Sequence, residues 1–200
     1  SADAAEAVAA EIRGLGRIAA ALGADLLDEA ATQALAPAAA AALGGPLTVL
    51  VNNASIFEYD RIDTATRESW DRHLESNLRA PFVLTQCFAE QAPKAVSEGG
   101  ETRSQALVIN MLDQRVWKLT PQFMSYTVSK AALFTLTQTL AQALGPLGVF
   151  VYTVAPGFVE TEMAAAVLAS PEGDGIRKQS TIGRVAQPEE LGKTIGFLAF

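Results

Sequence analysis

Apolar residues recur along this chain in two rhythms. At helical spacing they run from Ala2 to Leu15, Asp28 to Leu43, Thr66 to Ala92, Ser125 to Leu144 and Glu189 to Phe200. A period near 3.6 predicts a helix over each of these spans. Between them lie short apolar runs without polar alternation: Leu47 to Val51, Ala106 to Asn110 and Val149 to Ala155. Such runs predict strands buried on both faces, as in a parallel sheet. Arg17 to Ala24 predicts one more short strand. Pro81 predicts a kink in the Thr66 to Ala92 helix, because a proline removes an intrahelical hydrogen bond. The Ala34 to Leu43 run closes on Gly44, Gly45 and Pro46, a helix stop.

Helix and strand alternate with no long hairpin signal. This order predicts an α/β fold, a doubly wound parallel sheet with helices on both faces, and a single domain over residues 1–200. Ligands bind beyond the carboxyl ends of strands in such sheets. Polar residues collect there: Asn52, Asn53 and Ser55 after one strand, Asp113 after the next, Pro156 and Gly157 after the third. Gly14-Leu15-Gly16-Arg17-Ile18-Ala19 imitates the G-x-G-x-x-A dinucleotide fingerprint. That fingerprint needs a strand before it and a helix after it, so that phosphate meets a helix N-terminus. Here the order is reversed, and the stretch reads as a helix stop.

Composition removes several function classes. Half of the residues are hydrophobic and 18% are charged, as in an ordinary globular domain. A net charge of −7 argues against a nucleic-acid partner, because phosphate binding needs clustered cations. Cys87 is the single cysteine; it fits a reducing, cytoplasmic setting and reads as a small buried apolar side chain. His73 is the single histidine and reads as surface or structural. No Cys/His/carboxylate cluster has metal-ligand spacing, and no run of about twenty apolar residues predicts a membrane span. Asn53-Ala54-Ser55 matches a glycosylation sequon by chance.

The chemistry concentrates around Tyr126 and Lys130, four residues apart and so on one helix face. A phenol titrates near 10, too high for acid–base work at neutral pH; a neighbouring cation favours the phenolate. Asp113 stands thirteen residues before Tyr126. An ionised carboxylate accepts hydrogen bonds and donates none. It would repel a carbonyl oxygen, but it suits a ring bearing N–H and amino groups. It could also hand a proton through water to a ring nitrogen. Its structural alternative is to cap a turn.

Five segments together resemble the short-chain dehydrogenase/reductase family: "ADL" (Ala24 to Leu26), "NNAS" (Asn52 to Ser55), "SNLRAPF" (Ser76 to Phe82), "YTVSK" (Tyr126 to Lys130) and "APGFVET" (Ala155 to Thr161). The resemblance covers the whole chain and implies a Rossmann-like fold with NAD(P)-dependent hydride transfer. It implies that Tyr126 is the proton donor, that Lys130 supports it and holds the nicotinamide ribose, and that Asn77 helps to hold a relay water and the lysine. It implies cofactor contacts from Asp25 and Leu26 at the adenine, from Asn52, Asn53 and Ala54 along the ribose, and from Pro156, Gly157, Val159 and Thr161 over the nicotinamide. Ser1 is the one residue present from the region that separates NADP from NAD. By the same resemblance, the chain starts after the family's Gly-rich loop and stops inside its last helix, so a longer protein is expected.

Asp113 replaces the family's usual serine. "NM-x-D" (Asn110 to Asp113) and "NNAS-x-F" (Asn52 to Phe57) resemble the pteridine reductase branch. That branch implies NADPH rather than NADH, and a pterin stacked on Phe57 and hydrogen-bonded by Ser55. Phe57 could instead pack on the core. Trp117 is expected to line the substrate pocket or to meet a neighbouring subunit. No role follows for the rest of Gln114 to Phe123. Residues 158–179 correspond to the family's substrate lid. The resemblance further implies a homotetramer paired through the Thr66 to Ala92 and Ser125 to Leu144 helices. The alternatives are a carbonyl or 3-oxoacyl reductase, which Asp113 disfavours, and a non-catalytic cofactor-binding scaffold, which Asn77, Tyr126 and Lys130 disfavour.

Overall fold

A computed structural model describes residues 2–98 and 101–199; Ser1, expected near the cofactor, lies outside them. Helix α1 spans Ala2–Gly14 and α2 spans Glu29–Leu43. Asp28 caps α2 by accepting from the Ala30 and Ala31 N–H groups, and Gly44 ends it at φ 76°. Strand β1 (Val49–Asn52) follows, then α3 (Arg67–Leu74) and α4 (Ala80–Gln91). Strands β2 (Val96–Glu98) and β3 (Glu101–Arg103) precede β4 (Ala106–Met111), α5 (Met124–Leu144) and β5 (Val149–Val154). Helices α6 (Glu162–Ala169), α7 (Pro171–Gln179) and α8 (Pro188–Ala199) complete the described chain.

The sheet runs β1-β4-β5 with both pairings parallel. Val49 pairs with Leu107 and Ala106 with Val149. All six residues of the central strand are buried. Its alternate side chains feed two cores. Val108 joins Phe88, Val149 and Val151, with Leu140 and Leu144 of α5 packed against them. Leu107, Ile109 and Met111 meet Leu191, Ile195 and Leu198 of α8. Each filled side chain of this size is worth roughly 1.5–3 kcal/mol of burial. This period-2 division puts helices on both faces, as the continuous apolar run requires.

Four expectations need correction. Arg17 to Ala24 belongs to no ladder; an apolar run becomes a strand only where a neighbouring strand takes its hydrogen bonds, and no described strand does. Strand β5 is not buried on both faces: Phe150 and Tyr152 alternate outward, because it stands at the edge of the described sheet. A short antiparallel pair, β2 with β3, stands apart from the parallel sheet; with Ser97, Glu98, Glu101, Thr102 and Arg103 in it, no apolar run marked it.

The fourth correction concerns the helix expected over Thr66 to Ala92. Thr66 is its cap, through a reciprocal pair with Ser69. Its irregularity falls before Pro81, as a π-helical turn over Glu75–Arg79. The Ala80 N–H reaches the Glu75 carbonyl, five residues back, and Pro81 has no N–H to offer Asn77. A π turn widens the helix locally and is favoured at functional sites. This one carries the buried Asn77.

Candidate active site

The carboxyl ends of β1, β4 and β5 open into a cavity of about 500 Å³. Asn53, Ala54, Ser55 and Phe57 line it from the β1 end; Asp113, Gln114 and Arg115 follow β4. Tyr126 reaches in from α5, and Gly157, Val159 and Thr161 arrive from the β5 end. The first turn after β4 is held by Asp113 itself. Its Oδ1 accepts from the Arg115 N–H at 2.8 Å, capping a 3-10 turn over Gln114–Val116. Its Oδ2 accepts from the Tyr126 hydroxyl at 3.0 Å. Asp113 is therefore both a turn cap and a partner of the tyrosine; the two readings of the sequence coexist.

Tyr126 and Lys130 are both buried on one face of α5, but the ammonium does not act on the phenol as expected. Lys130 Nζ donates to the Met111 carbonyl at 2.8 Å and lies 5.8 Å from the Tyr126 ring centroid. Burial pushes the phenol's pKa well above its usual value of 10; the charge of Asp113 and its hydrogen bond push the same way, and Arg115 opposes them. The phenol is thus held protonated, as a donor to Asp113. Burial also lowers Lys130 from 10.5 to about 8, while the charge of Asp113 works against that fall. The expectation missed that the nearest charge on the phenol is negative and hydrogen-bonded, whereas the cation is tied to β4.

The side chain of Asn77 has four partners within the protein. Its Nδ2 donates to the Ile56 carbonyl at 2.9 Å and to Ser129 Oγ at 3.1 Å. Its Oδ1 accepts from the Ile56 N–H at 2.8 Å and lies 3.2 Å from Ser55 Oγ. All four positions of the amide are taken by protein, so the Asn77 side chain clamps the Ser55–Ile56 loop. The π turn is what aims the amide there.

The remaining expected residues divide. Leu26, Asn52, Asn53 and Ala54 line an adjoining apolar cavity of about 280 Å³, which shares Asn53 and Ala54 with the first. Asn52 Nδ2 donates to Asn110 Oδ1 at 2.8 Å, while its own buried oxygen finds no partner among the described residues. Asp25 lines neither cavity: it is exposed and accepts from the Leu27 N–H at 3.0 Å. Pro156 acts through its carbonyl, which accepts from Gln114 N. Val159 bridges to Ala186, and Thr161 caps α6. Trp117 is not brought to the cavity. It is 60% exposed and rests edge-on against Phe134 of α5, ring centroids 5.6 Å apart.

Two residues without a predicted role, Arg115 and Phe123, help to build the site, and Phe158 of the expected lid joins them. The Phe123 ring stacks on Phe57 at 4.3 Å with 4° between the planes. Arg115 Cζ sits 4.6 Å from the Phe123 centroid and 5.9 Å from that of Phe57, cation–π distances. Phe158 lines the cavity from the β5 end. Only the position of Phe123, directly before the Tyr126 helix, offered a signal. Its φ of 57° is left-handed, the one such non-glycine residue described. That conformation costs of order 1–3 kcal/mol and persists only where its surroundings over-determine it.

Known proteins resemble this chain along its whole length. A family model described as enoyl-(acyl carrier protein) reductase matches residues 1–200. D-threitol dehydrogenase of Mycolicibacterium smegmatis is 31% identical over 199 residues, covering 100% of this chain and 73% of the relative. Among solved structures, FolM alternative dihydrofolate reductase 1 from Brucella canis, complexed with NADP, is 35% identical with a TM-score of 0.82, over 98% of this chain and 72% of the other. A short-chain dehydrogenase from Burkholderia cenocepacia, also in complex with NADP, is 31% identical with a TM-score of 0.87, over 100% and 76%. With the Tyr126–Lys130 pair set at the strand ends of a parallel sheet and relatives of this kind along its length, the chain belongs to the short-chain dehydrogenase/reductase family of NAD(P)-dependent oxidoreductases.

Proposed function

We propose that the full-length protein uses NADPH to reduce a C=N bond in a pterin-type heterocycle. The observation that carries this reading is Asp113, a carboxylate in the cavity wall that already accepts the Tyr126 hydroxyl. A serine there could donate to a substrate carbonyl; Asp113 offers only acceptors. Ring N–H and amino groups fit it. Phe57, backed by Phe123, adds a flat apolar surface suited to a conjugated ring. The FolM neighbour is named as a dihydrofolate reductase and holds NADP, which supports both halves of the proposal.

The donor set fits a dinucleotide. Lys130 is a buried ammonium with three N–H donors, of which Met111 takes one; the other two suit a ribose diol. Asn53 and Ala54 link the two adjoining cavities, as an extended cofactor requires. When bound, the cofactor supplies a hydride. Tyr126, kept protonated by burial and by Asp113, supplies the matching proton to the substrate nitrogen, directly or through Asp113 and water. Asn77 holds Ser55 in the wall of the same cavity. Asp25 and Trp117 stay outside these roles.

The second reading, a carbonyl or thioester reductase, draws support from the enoyl-(acyl carrier protein) reductase model and the D-threitol dehydrogenase relative. The deciding assay is NADPH oxidation by the full-length protein with 7,8-dihydrobiopterin beside an acetoacetyl thioester, repeated for Asp113→Ser. Pterin turnover that falls with Asp113→Ser supports the proposal; turnover of the thioester alone establishes the second reading. We further propose a cytoplasmic homotetramer. The exposed aromatic surface of Trp117 beside Phe134 on α5 supports a subunit contact there. Light scattering should return four times the chain mass; a monomer would refute the assembly.

A further inference from the structure

Behind the cavity lies a buried cluster that the proposed chemistry does not use: Asp60, His73 and Ser125, exposed by 2%, 0% and 0%. Ser125 donates to the Asp60 carboxylate through its hydroxyl and through its backbone N–H, the latter at 3.3 Å. His73 Nδ1 lies 2.8 Å from Ser125 Oγ and 2.8 Å from the Ser69 carbonyl. Its Nε2 accepts from the Glu58 N–H at 3.1 Å. That acceptor role sets the neutral tautomer, with the proton on Nδ1. A serine, a histidine and an aspartate together invite comparison with a nucleophilic triad. The arrangement rules that out. The serine hydroxyl donates its hydrogen bond to the carboxylate, the second imidazole nitrogen is occupied, and the hydroxyl is fully buried.

What the cluster touches is the frame of the aromatic wall. The Asp60 carbonyl accepts from Phe123 N–H at 2.8 Å, and its carboxylate holds Ser125, two residues further on. Phe123 is the left-handed residue, and its ring is the one stacked on Phe57. On the other side, His73 fixes Glu58, the neighbour of Phe57, while Asn77 fixes Ser55 and Ile56. The loop from Ser55 to Asp60 is therefore pinned on both sides of Phe57, and Phe123 is pinned from the same carboxylate-bearing residue. Tyr126, one residue after Ser125, lies edge-on to Phe57 at 4.7 Å.

We infer that Asp60, His73 and Ser125 are positioning residues that lock Phe123 in its left-handed turn and thereby set the Phe57 stacking wall against Tyr126, tuning the site for planar ring substrates. The inference rests on the ring-reduction reading for its natural substrate but not for its test. Full-length wild type, Asp60→Ala, Asp60→Asn and Ser125→Ala are compared with NADPH and two probes, 7,8-dihydrobiopterin and the planar diketone 9,10-phenanthrenequinone. Losing charge-assisted hydrogen bonds of this kind corresponds to about a tenfold rise in KM for Asp60→Ala and Ser125→Ala. The dissociation constant of NADPH, read by its fluorescence, should stay within about twofold, because Lys130 and the Met111 carbonyl are untouched. Asp60→Asn keeps an acceptor for Ser125 and should recover most of the loss. A KM that does not move, a KM that rises in step with the NADPH constant, or an Asp60→Asn as impaired as Asp60→Ala would each overturn the inference. Wild type that reduces the diketone but not the pterin would refute the ring-reduction reading alone; the diketone KM split across the variants would still decide the role of the cluster.

Discussion

Lys130 offers a measurable conflict between stability and function. Its side chain is 3% exposed, and burial lowers its pKa from 10.5 to about 8. Each unit corresponds to 1.36 kcal/mol, so keeping this ammonium charged in the fold costs about 3 kcal/mol at neutral pH. Replacing it by methionine, of similar length and apolar, removes that cost. It also leaves the Met111 carbonyl without its 2.8 Å partner, a loss of about 1–2 kcal/mol. Lys130→Met should therefore be about 1–2 kcal/mol more stable than wild type at pH 7 while losing turnover. The pH dependence is the sharper signature. Between about 8 and 10.5 the unfolded chain holds the proton that the folded chain has released. Wild-type stability thus rises with pH across that window, whereas the penalty is fully present below it. Urea unfolding of the cofactor-free full-length proteins, at steps from pH 7 to 10.5, measures both quantities. A variant less stable than wild type at pH 7, with a difference that stays flat up to 10.5, would refute the reasoning.

Tyr126→Phe removes one hydroxyl whose recorded partner is Asp113; turnover should fall by about 10²–10⁴ while NADPH affinity, measured by fluorescence titration, is retained. Asn77→Ala strands the Ile56 N–H and carbonyl that the amide now satisfies. Thermal unfolding should show a loss of about 2–3 kcal/mol, together with a raised KM for the ring substrate as the Ser55–Ile56 loop is released; unchanged melting would count against the clamp.

The apolar rhythm was enough to place β1, β4 and the helices α2, α5 and α8, because burial on both faces of a parallel strand leaves a run that no other element needs. It also placed the polar residues at the strand ends, and the i,i+4 spacing put Tyr126 and Lys130 on one face. Strand β5 was legible as a strand but not as an edge, since a neighbour's presence is not written into the strand itself. The same limit applies to Arg17 to Ala24, apolar enough for a strand but unpaired in the described sheet.

Within the site, the identities of Tyr126, Lys130, Asp113 and Asn77 were legible, and their partners were not. A side chain's sequence position says which face it shares; it does not say which charge stands nearest. Asp113 reaches Tyr126 across a 3-10 turn, Lys130 turns to the Met111 carbonyl, and a π turn aims Asn77 at the Ser55–Ile56 loop. Asp60, His73 and Ser125, scattered over 65 residues, meet only because α3 and α5 pack together. What the sequence determined by itself was the order of elements and the kinds of chemical group at the strand ends, both set by local periodicity and residue type. What the tertiary structure decided was protonation, hydrogen-bond partnership and the left-handed turn at Phe123, because each depends on distances between segments remote along the chain.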